Sequence, residues 1–205
     1  GSMLMHGTNS GWGGWADNLS MIMYILIPWL YNIFRMSNWT VRRFLEIYFS
    51  IVVIYAVMRW ISGWGLGINL ELFSVSIGLW AISEFLFRFW SPLFRFLSGF
   101  VGFFVLALFG TTPLDVMANF SEYWWVILFW IPGLLSNKKP TTTRTYKWYF
   151  LGMVAYFSAF IIWSTGVPDH ALCRPDSLIQ AHGIWHLLSA VATYCFFLHY
   201  RSESA

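Results

Sequence analysis

Long apolar runs alternate with short polar breaks along almost the whole chain. A helix that crosses a bilayer needs about 20 predominantly apolar residues, and runs near this length recur along the sequence. The pattern predicts seven membrane-spanning helices, at roughly 17–36, 43–63, 68–88, 92–110, 121–136, 147–165 and 178–200. The run at 121–136 is the shortest of them. The breaks between the runs carry basic residues, glycines or prolines, which favour turns.

Composition is typical of an integral membrane protein. Hydrophobic residues make up 58% of the chain, aromatic residues 21% and charged residues only 10%. The formal net charge of +3 is small and scattered, which excludes nucleic acid as an expected partner and leaves the bilayer. We predict an all-α fold, a polytopic transmembrane helical bundle formed by a single domain over 1–205. Cys173 and Cys195 lie at different depths, so no disulfide between them is expected.

Two histidines, His182 and His186, lie at the start of the last apolar run. Residues four apart on a helix share one face, where two imidazoles can bind one metal ion. Ser177, with Gln180 three residues later, has the pattern of a capping box and predicts that a helix begins just before the pair. Titratable side chains within a membrane helix usually have a partner or a task, so this pair indicates a functional site.

The N-terminus begins with Gly1 and Ser2 rather than methionine, and continues through His6 into a stretch rich in glycine and tryptophan. Asp17 then opens the first long apolar run. A Gly-Ser cloning scar before Met3 would explain this start and would make Ser2 meaningless. The alternative, which we favour, is a fragment that begins near the end of an earlier transmembrane helix, followed by a loop up to residue 16.

These residues together resemble the alkaline ceramidase family. Ser2 and His6 have the spacing Ser-x-x-x-His, Asp17 follows eleven residues later, and His182-Gly-Ile-Trp-His186-Leu-Leu resembles ceramidases in particular. The family belongs to a superfamily of seven-helix membrane hydrolases that also includes Per1-like proteins and the progestin and adiponectin receptors. In that superfamily the serine and a histidine lie on the second helix, the aspartate at the start of the third, and the histidine pair on the seventh.

The resemblance implies that His6, His182 and His186 bind Zn²⁺ and that Ser2 and Asp17 are catalytic. Three neutral imidazoles leave the fourth tetrahedral position open for water, whose pKa the metal lowers to about 7. Asp17 would accept or orient the water proton. Ser2 would donate a hydrogen bond to the water or to the developing oxyanion. The implied reaction cleaves the amide bond of a ceramide-like lipid to a sphingoid base and a fatty acid.

The chain departs from the ceramidase pattern at several points. Asn18 stands where a glutamate typically follows the aspartate, and the acidic segment that binds calcium in the eukaryotic enzymes is not present in this sequence. Calcium dependence is therefore not carried over. Asp17 and His182 are separated by about two helices more than is usual in the family. We interpret this as an inserted helical pair, and two re-entrant or interfacial segments remain an alternative.

A joint site requires Asp17 and the histidine pair to lie on the same side of the membrane, and seven spans satisfy this requirement. Most basic residues then fall on the opposite side, and only Arg59 and Arg174 fall on the side of the site. By the positive-inside rule the basic side and the C-terminus are cytoplasmic, so the site opens toward the periplasm or lumen. The basic residues opposite the site are Arg35, Arg42, Arg43, Arg88, Arg95, Lys138, Lys139, Arg144, Lys147 and Arg201.

Other functions remain open at this point. An ester-cleaving lipid remodelling enzyme would use the same residues, and a receptor would keep the metal only for stability. A haem electron carrier would use histidines as axial ligands. Two histidines four apart on one helix cannot bind one haem from opposite faces, so two haems and two more well-placed histidines would be needed. His6 and His199 should lie near opposite membrane faces.

Ordinary structural roles are also open for several polar residues. Asp17 has the character of a helix N-cap residue. Glu84 and Arg88, four residues apart, are typical of an ion pair at a helix end, and with Glu71 they would form a buried polar track. We expect His170 in a loop and His199 near the membrane interface.

Overall fold

The computed structural model describes residues 2–62, 72–108, 110–166, 170, 172–173 and 179–205. Throughout these ranges the regular structure is helical, apart from an isolated antiparallel bridge between Thr143 and Ser204. The prediction of an all-α fold is confirmed. The chain divides into two compact units, Gly1–Pro140 (unit 1) and Thr141–Ala205 (unit 2). Glu71, Arg174 and Ser177 lie outside the described residues. The N-cap residue of the last helix is Gln180, so the prediction that Ser177 caps this helix is wrong.

Each of the predicted apolar runs is largely helical where the structure describes it. The long helices of unit 1 are α2 (Gly11–Arg35), α3 (Val41–Ser62) and α4 (Leu72–Phe89). The shorter helices of unit 1 are α1 (Ser2–Thr8), α5 (Pro92–Leu97), α6 (Val101–Leu108), α7 (Pro113–Ala118), α8 (Phe120–Tyr123) and α9 (Ile131–Leu135). Two 3₁₀ segments, Ser98–Phe100 and Trp124–Trp130, lie among them. Unit 2 contains α10 (Tyr146–Ser164) and α11 (Ala181–Arg201).

Helix α2 packs against α3 and α4 and contributes much of the core of unit 1. Its start is set by Ser10, whose side chain accepts a hydrogen bond of 3.3 Å from the Gly13 N–H. This bond satisfies one of the amide donors that a helix start leaves open, and α2 therefore begins earlier than the predicted residue 17. The buried face repeats every three or four residues, as expected of a helix packed on one side. It includes Ile22, Ile25, Leu26, Trp29 and Ile33.

The runs predicted as single spans at 92–110 and 121–136 are each interrupted by a 3₁₀ segment. The two runs contact each other through glycines, because a Cβ atom at Gly99 would overlap the Trp130 ring and one at Gly133 would overlap the Arg95 carbonyl. Arg95 Nε also donates to the Gly133 carbonyl oxygen at 2.9 Å. These contacts bring the two backbones together, and an apolar run by itself does not reveal such an interruption.

Two of the described helices, α3 and α11, are long and apolar enough to cross a membrane. Helix α2 has 25 residues and α10 has 19, so both are of comparable length. A spanning helix needs about 20 apolar residues. A bundle of seven spans stays a prediction.

Unit 2 is a hairpin of α10 and α11, closed at one end by a polar clasp made of Thr142, Arg144, Tyr200 and Glu203. Arg144 Nη2 lies 2.7 Å from Glu203 Oε2, and the two side chains are 0% and 8% exposed. Thr142 Oγ1 donates to Glu203 Oε1 at 3.0 Å, and the Arg144 guanidinium lies 4.6 Å from the centre of the Tyr200 ring. The clasp joins the start of α10 to the end of α11.

The helices of unit 2 approach each other closely at Gly152. A Cβ atom at this position would lie 2.6 Å from Cε1 of Phe196, so an added methyl group requires the packing to shift. We predict that Gly152→Ala lowers the free energy of unfolding by about 1–3 kcal/mol. Denaturant unfolding of the detergent-solubilised protein measures this change.

Gly183→Ala is the matched control on the same hairpin. Nothing lies within 4 Å of a Cβ atom at Gly183. Alanine favours a helix over glycine by roughly 0.5–1 kcal/mol, so this variant should be slightly more stable than the parent. Equal effects of the two substitutions would contradict close packing at Gly152.

Candidate active site

The histidine pair lies on the first two turns of α11. This helix begins at Ala181, after Gln180 as the N-cap residue. Nε2 of His182 and Nε2 of His186 face each other at 3.0 Å, and their ring centroids lie 4.7 Å apart. His186 is exposed and His182 is half-buried. Both rings therefore share one helix face, as their spacing predicts, and both remain accessible.

A distance of 3.0 Å between two imidazole nitrogens fits two arrangements. Neutral rings can share one N–H···N hydrogen bond, in which one tautomer donates and the other accepts. The same nitrogens can also bind one metal ion. Zinc–nitrogen bonds of about 2.0–2.1 Å at a tetrahedral angle place two ligand nitrogens about 3.3 Å apart. A small rotation of the rings converts the observed pair into that arrangement, so the donor set fits zinc.

Trp185 lies between the two histidines in sequence and packs against α10. Its ring centroid is 5.7 Å from that of Tyr156 and 6.2 Å from that of Trp163. Aromatic pairs at these separations stabilise one relative orientation of their helices. Tyr156 and Trp163 were not predicted to lie beside the site, because only the tertiary contact between α10 and α11 places them there.

Ser2, His6 and Asp17 belong to unit 1. Helix α1 carries Ser2 and His6, whose side chains lie outside the described part of the chain. Asp17 lies inside α2, nearly two turns from its start, and its backbone carbonyl accepts a 2.8 Å hydrogen bond from Ser20 Oγ. Asp17 is therefore not the N-cap residue, a role that Ser10 fills instead.

Helix α1 packs directly on the start of α2. Asn9, between the two helices, has a φ of 44°, in the left-handed region that asparagine tolerates better than most residues. A Cβ atom at Gly13 would lie 2.7 Å from the Leu4 carbonyl oxygen, so glycine permits the close approach. The backbone that carries His6 thus lies against the backbone that leads to Asp17.

The expected zinc ligands are divided between the two units, with His6 in unit 1 and His182 and His186 in unit 2. Among the residues whose side chains are described, which exclude His6, no three His, Cys, Asp or Glu side chains are grouped to hold a metal ion. The structure therefore shows a facing pair of candidate ligands. The three-histidine site with Ser2 and Asp17 stays a prediction.

The two remaining histidines, His199 and His170, lie outside the facing pair. His199, expected near the interface, is 0% exposed within unit 2, because Tyr146 and Tyr149 cover it with ring centroids at 5.1 and 5.3 Å. Its Nδ1 lies 3.2 Å from the Thr145 carbonyl oxygen. His170 is exposed, as expected of a loop residue.

Unit 1 contains a buried polar cluster of Asn32, Ser83 and Glu84, which are 0%, 0% and 2% exposed. Asn32 Nδ2 donates to Ser83 Oγ at 3.0 Å and to Glu84 Oε2 at 2.9 Å. Ser83 Oγ donates in turn to the Trp80 carbonyl oxygen at 2.8 Å. The sequence suggested an ion pair with Arg88 as the role of Glu84, and it did not predict this bond from Asn32.

We predict that Asn32→Ala lowers the free energy of unfolding by about 3 kcal/mol, because it removes the donor for two buried acceptors, one of them a carboxyl group. Chemical denaturation followed by tryptophan fluorescence measures the change. Asn38→Ala is the matched control, since Asn38 is exposed, and a change within about 0.5 kcal/mol is expected there. A comparable loss in both variants would show that the buried bonds add no stability.

Comparison with known proteins adds no family assignment. No protein-family model matches the chain, and no curated protein or solved structure matches it significantly. The resemblance to ceramidases therefore rests on the residues that carry it. The geometry of the histidine pair is the structural observation relevant to it.

Proposed function

We propose that this protein is a zinc-dependent hydrolase of the membrane that cleaves the amide bond of ceramide-like sphingolipids. The observation that carries the proposal is the pair of Nε2 atoms 3.0 Å apart at the start of an apolar helix of spanning length. Two imidazoles this close suit one shared ion. Two separate haems would require each Nε2 to point at its own iron, which this arrangement disfavours.

His182 and His186, with His6, would hold the zinc ion. When bound, Zn²⁺ supplies Lewis acidity and makes water acidic enough to ionise near neutral pH. The Asp17 carboxylate would take the proton of the attacking water, and the Ser2 hydroxyl would donate a hydrogen bond to the carbonyl oxygen as its charge develops. The water oxygen joins the acyl carbon, the carbon–nitrogen bond breaks, and the nitrogen leaves with a proton as the amine of the sphingoid base.

The surface beside the histidine pair supports a lipid substrate. Leu187 is 66% exposed and Val191 is 44% exposed, and both follow His186 on α11. Exposed apolar side chains on a helix of spanning length are suited to contact acyl chains. A substrate held in the bilayer would keep its chains beside these residues while its amide reaches the histidines.

Within each unit, the candidate site residue and a basic residue lie at opposite ends of one helix, which supports the predicted topology. In unit 1, Asp17 lies about 27 Å along α2 from Arg35, and in unit 2, His182 lies about 28 Å along α11 from Arg201. In both units the candidate site residues and the basic residues thus lie at opposite helix ends. We propose seven spans, with an inserted helical pair, a cytoplasmic C-terminus and a site that opens toward the periplasm or lumen.

A direct test supplies the purified protein with a ceramide and with an ester that carries the same two chains, in mixed micelles. Mass spectrometry measures the fatty acid and the sphingoid base released. The proposal expects release from the amide, loss of that release after chelation, and recovery on adding Zn²⁺. Release from the ester alone would make the protein an ester-cleaving enzyme. If the folded, zinc-loaded protein releases no product from either lipid, the hydrolase proposal is wrong.

A further inference from the structure

Unit 1 collects basic residues from distant parts of the sequence at one end. Helix α2 ends at Arg35, and α3 has Arg42 and Arg43 in its first turn. The segment 136–139 is joined to this end by two hydrogen bonds: the Lys138 N–H donates to the Met36 carbonyl oxygen at 2.8 Å, and Trp90 Nε1 donates to the Ser136 carbonyl oxygen at 3.0 Å. Lys138 and Lys139 therefore lie beside the turn between α2 and α3.

Three of these cations have no acidic partner among the described residues. Arg42 pairs with Glu46 at 2.7 Å, so its charge is partly balanced. Arg43, Lys138 and Lys139 are exposed, and the ion pairs seen in the described ranges do not involve them. We name this group of three side chains the basic rim. An exposed group of like charges attracts an anion, and the proximity of its members raises that attraction.

The position of the basic rim relative to α3 identifies the anion. Helix α3 is long and apolar enough to span a bilayer, and Leu45, Phe49 and Val53 on it are 43%, 54% and 58% exposed. With those side chains among lipid tails, the first turn of α3 lies at the depth of the headgroups. Trp39, half-buried just before this turn, is of the residue type that anchors helices at that depth.

We infer that the basic rim of Arg43, Lys138 and Lys139 is a binding site for the headgroups of anionic phospholipids. The site joins two segments nearly a hundred residues apart in sequence, and the bond from Lys138 to Met36 holds them together. It uses neither the histidine pair nor zinc, so it stands independently of the hydrolase proposal. Each cation of the basic rim that contacts the bound headgroup should strengthen its binding by roughly fivefold, whereas exposed cations that do not contact it should contribute little.

The test measures lipid binding to the full chain in detergent by native mass spectrometry. Phosphatidylglycerol and phosphatidylcholine with identical acyl chains are the two probes. Lys138→Gln with Lys139→Gln is the test variant, and the further change Arg43→Gln extends it. Lys147→Gln with Arg201→Gln is the control, since it removes the same charge from exposed cations of unit 2.

The test variant should bind phosphatidylglycerol about 25-fold more weakly than the parent, and Arg43→Gln should add roughly another fivefold. Binding of phosphatidylcholine should not change, and the control should change phosphatidylglycerol binding less than twofold. Equal losses in the test and control variants would overturn the inference, because net charge alone would then explain binding. Full displacement of the lipid by millimolar glycerol phosphate would also overturn it, since the site would then select a soluble phosphate.

Discussion

Replacing His182 and His186 together by alanine is expected to remove bound zinc and to reduce fatty-acid release by more than about 100-fold. Loss of residues that merely support metal ligands costs 10–100-fold, so loss of two ligands should cost more. Two quantities are measured. One is the zinc content per chain, by mass spectrometry of the metal, and the other is product release from a ceramide. The distance of 3.0 Å between the Nε2 atoms predicts that each single variant loses most of the zinc.

His170→Ala is the control for this experiment, because His170 is an exposed histidine outside the pair. Its zinc content and activity should equal those of the parent. The double variant should retain its helical circular dichroism, since an exposed or half-buried histidine contributes little to the core. A double variant that keeps both its zinc and its activity would show that the pair is not the metal site.

Glu203→Ala is expected to lower the free energy of unfolding by about 3–5 kcal/mol, which is a typical cost of removing one partner from a buried ion pair. The reason is that the Arg144 side chain is 0% exposed in the intact clasp, so the variant would leave its charge in a buried position without the carboxylate partner. Thr142 Oγ1 also loses the acceptor of its hydrogen bond. Denaturant unfolding of the detergent-solubilised protein provides the measurement.

The chain contains a matched exposed pair for comparison. Arg42 and Glu46 lie 2.7 Å apart with side chains 89% and 57% exposed, and such pairs contribute about 0.2–1 kcal/mol. Glu46→Ala should therefore change stability several times less than Glu203→Ala. Similar losses of stability in the two variants would mean that the buried ion pair stabilises the fold no more than the exposed one.

The positions of the long helices could be predicted because apolar runs are visible in the sequence itself. Helix α10 was predicted at 147–165 and forms at Tyr146–Ser164, and α11 was predicted at 178–200 and forms at Ala181–Arg201. Cys173 and Cys195 are both free, as predicted. The interruption of the runs near Gly99 was not predictable in this way, because it depends on which distant side chain packs on that glycine.

The same distinction between local geometry and distant contacts applies to the candidate site. The facing of His182 and His186 follows from the geometry of one helical turn, which four residues of sequence determine. The hydrogen bond from Asn32 to Ser83 joins residues 51 apart, and that from Arg144 to Glu203 joins residues 59 apart. Such pairs depend on how whole helices pack, and spacing in the sequence carries no signal for them.

The clasp lies at the end of α11 that is remote from the histidines. Removing the clasp should therefore not directly change how the two histidine rings face each other. Hydrogen exchange measures the consequence: once the ion pair between Glu203 and Arg144 is lost, amides in the last turns of α11 should exchange by local fraying. Amides around Trp185 should stay protected, because its contacts with Tyr156 and Trp163 are independent of the clasp. A hairpin weakened there opens progressively from its C-terminal end, and the turn that carries the histidine pair is the last part to separate.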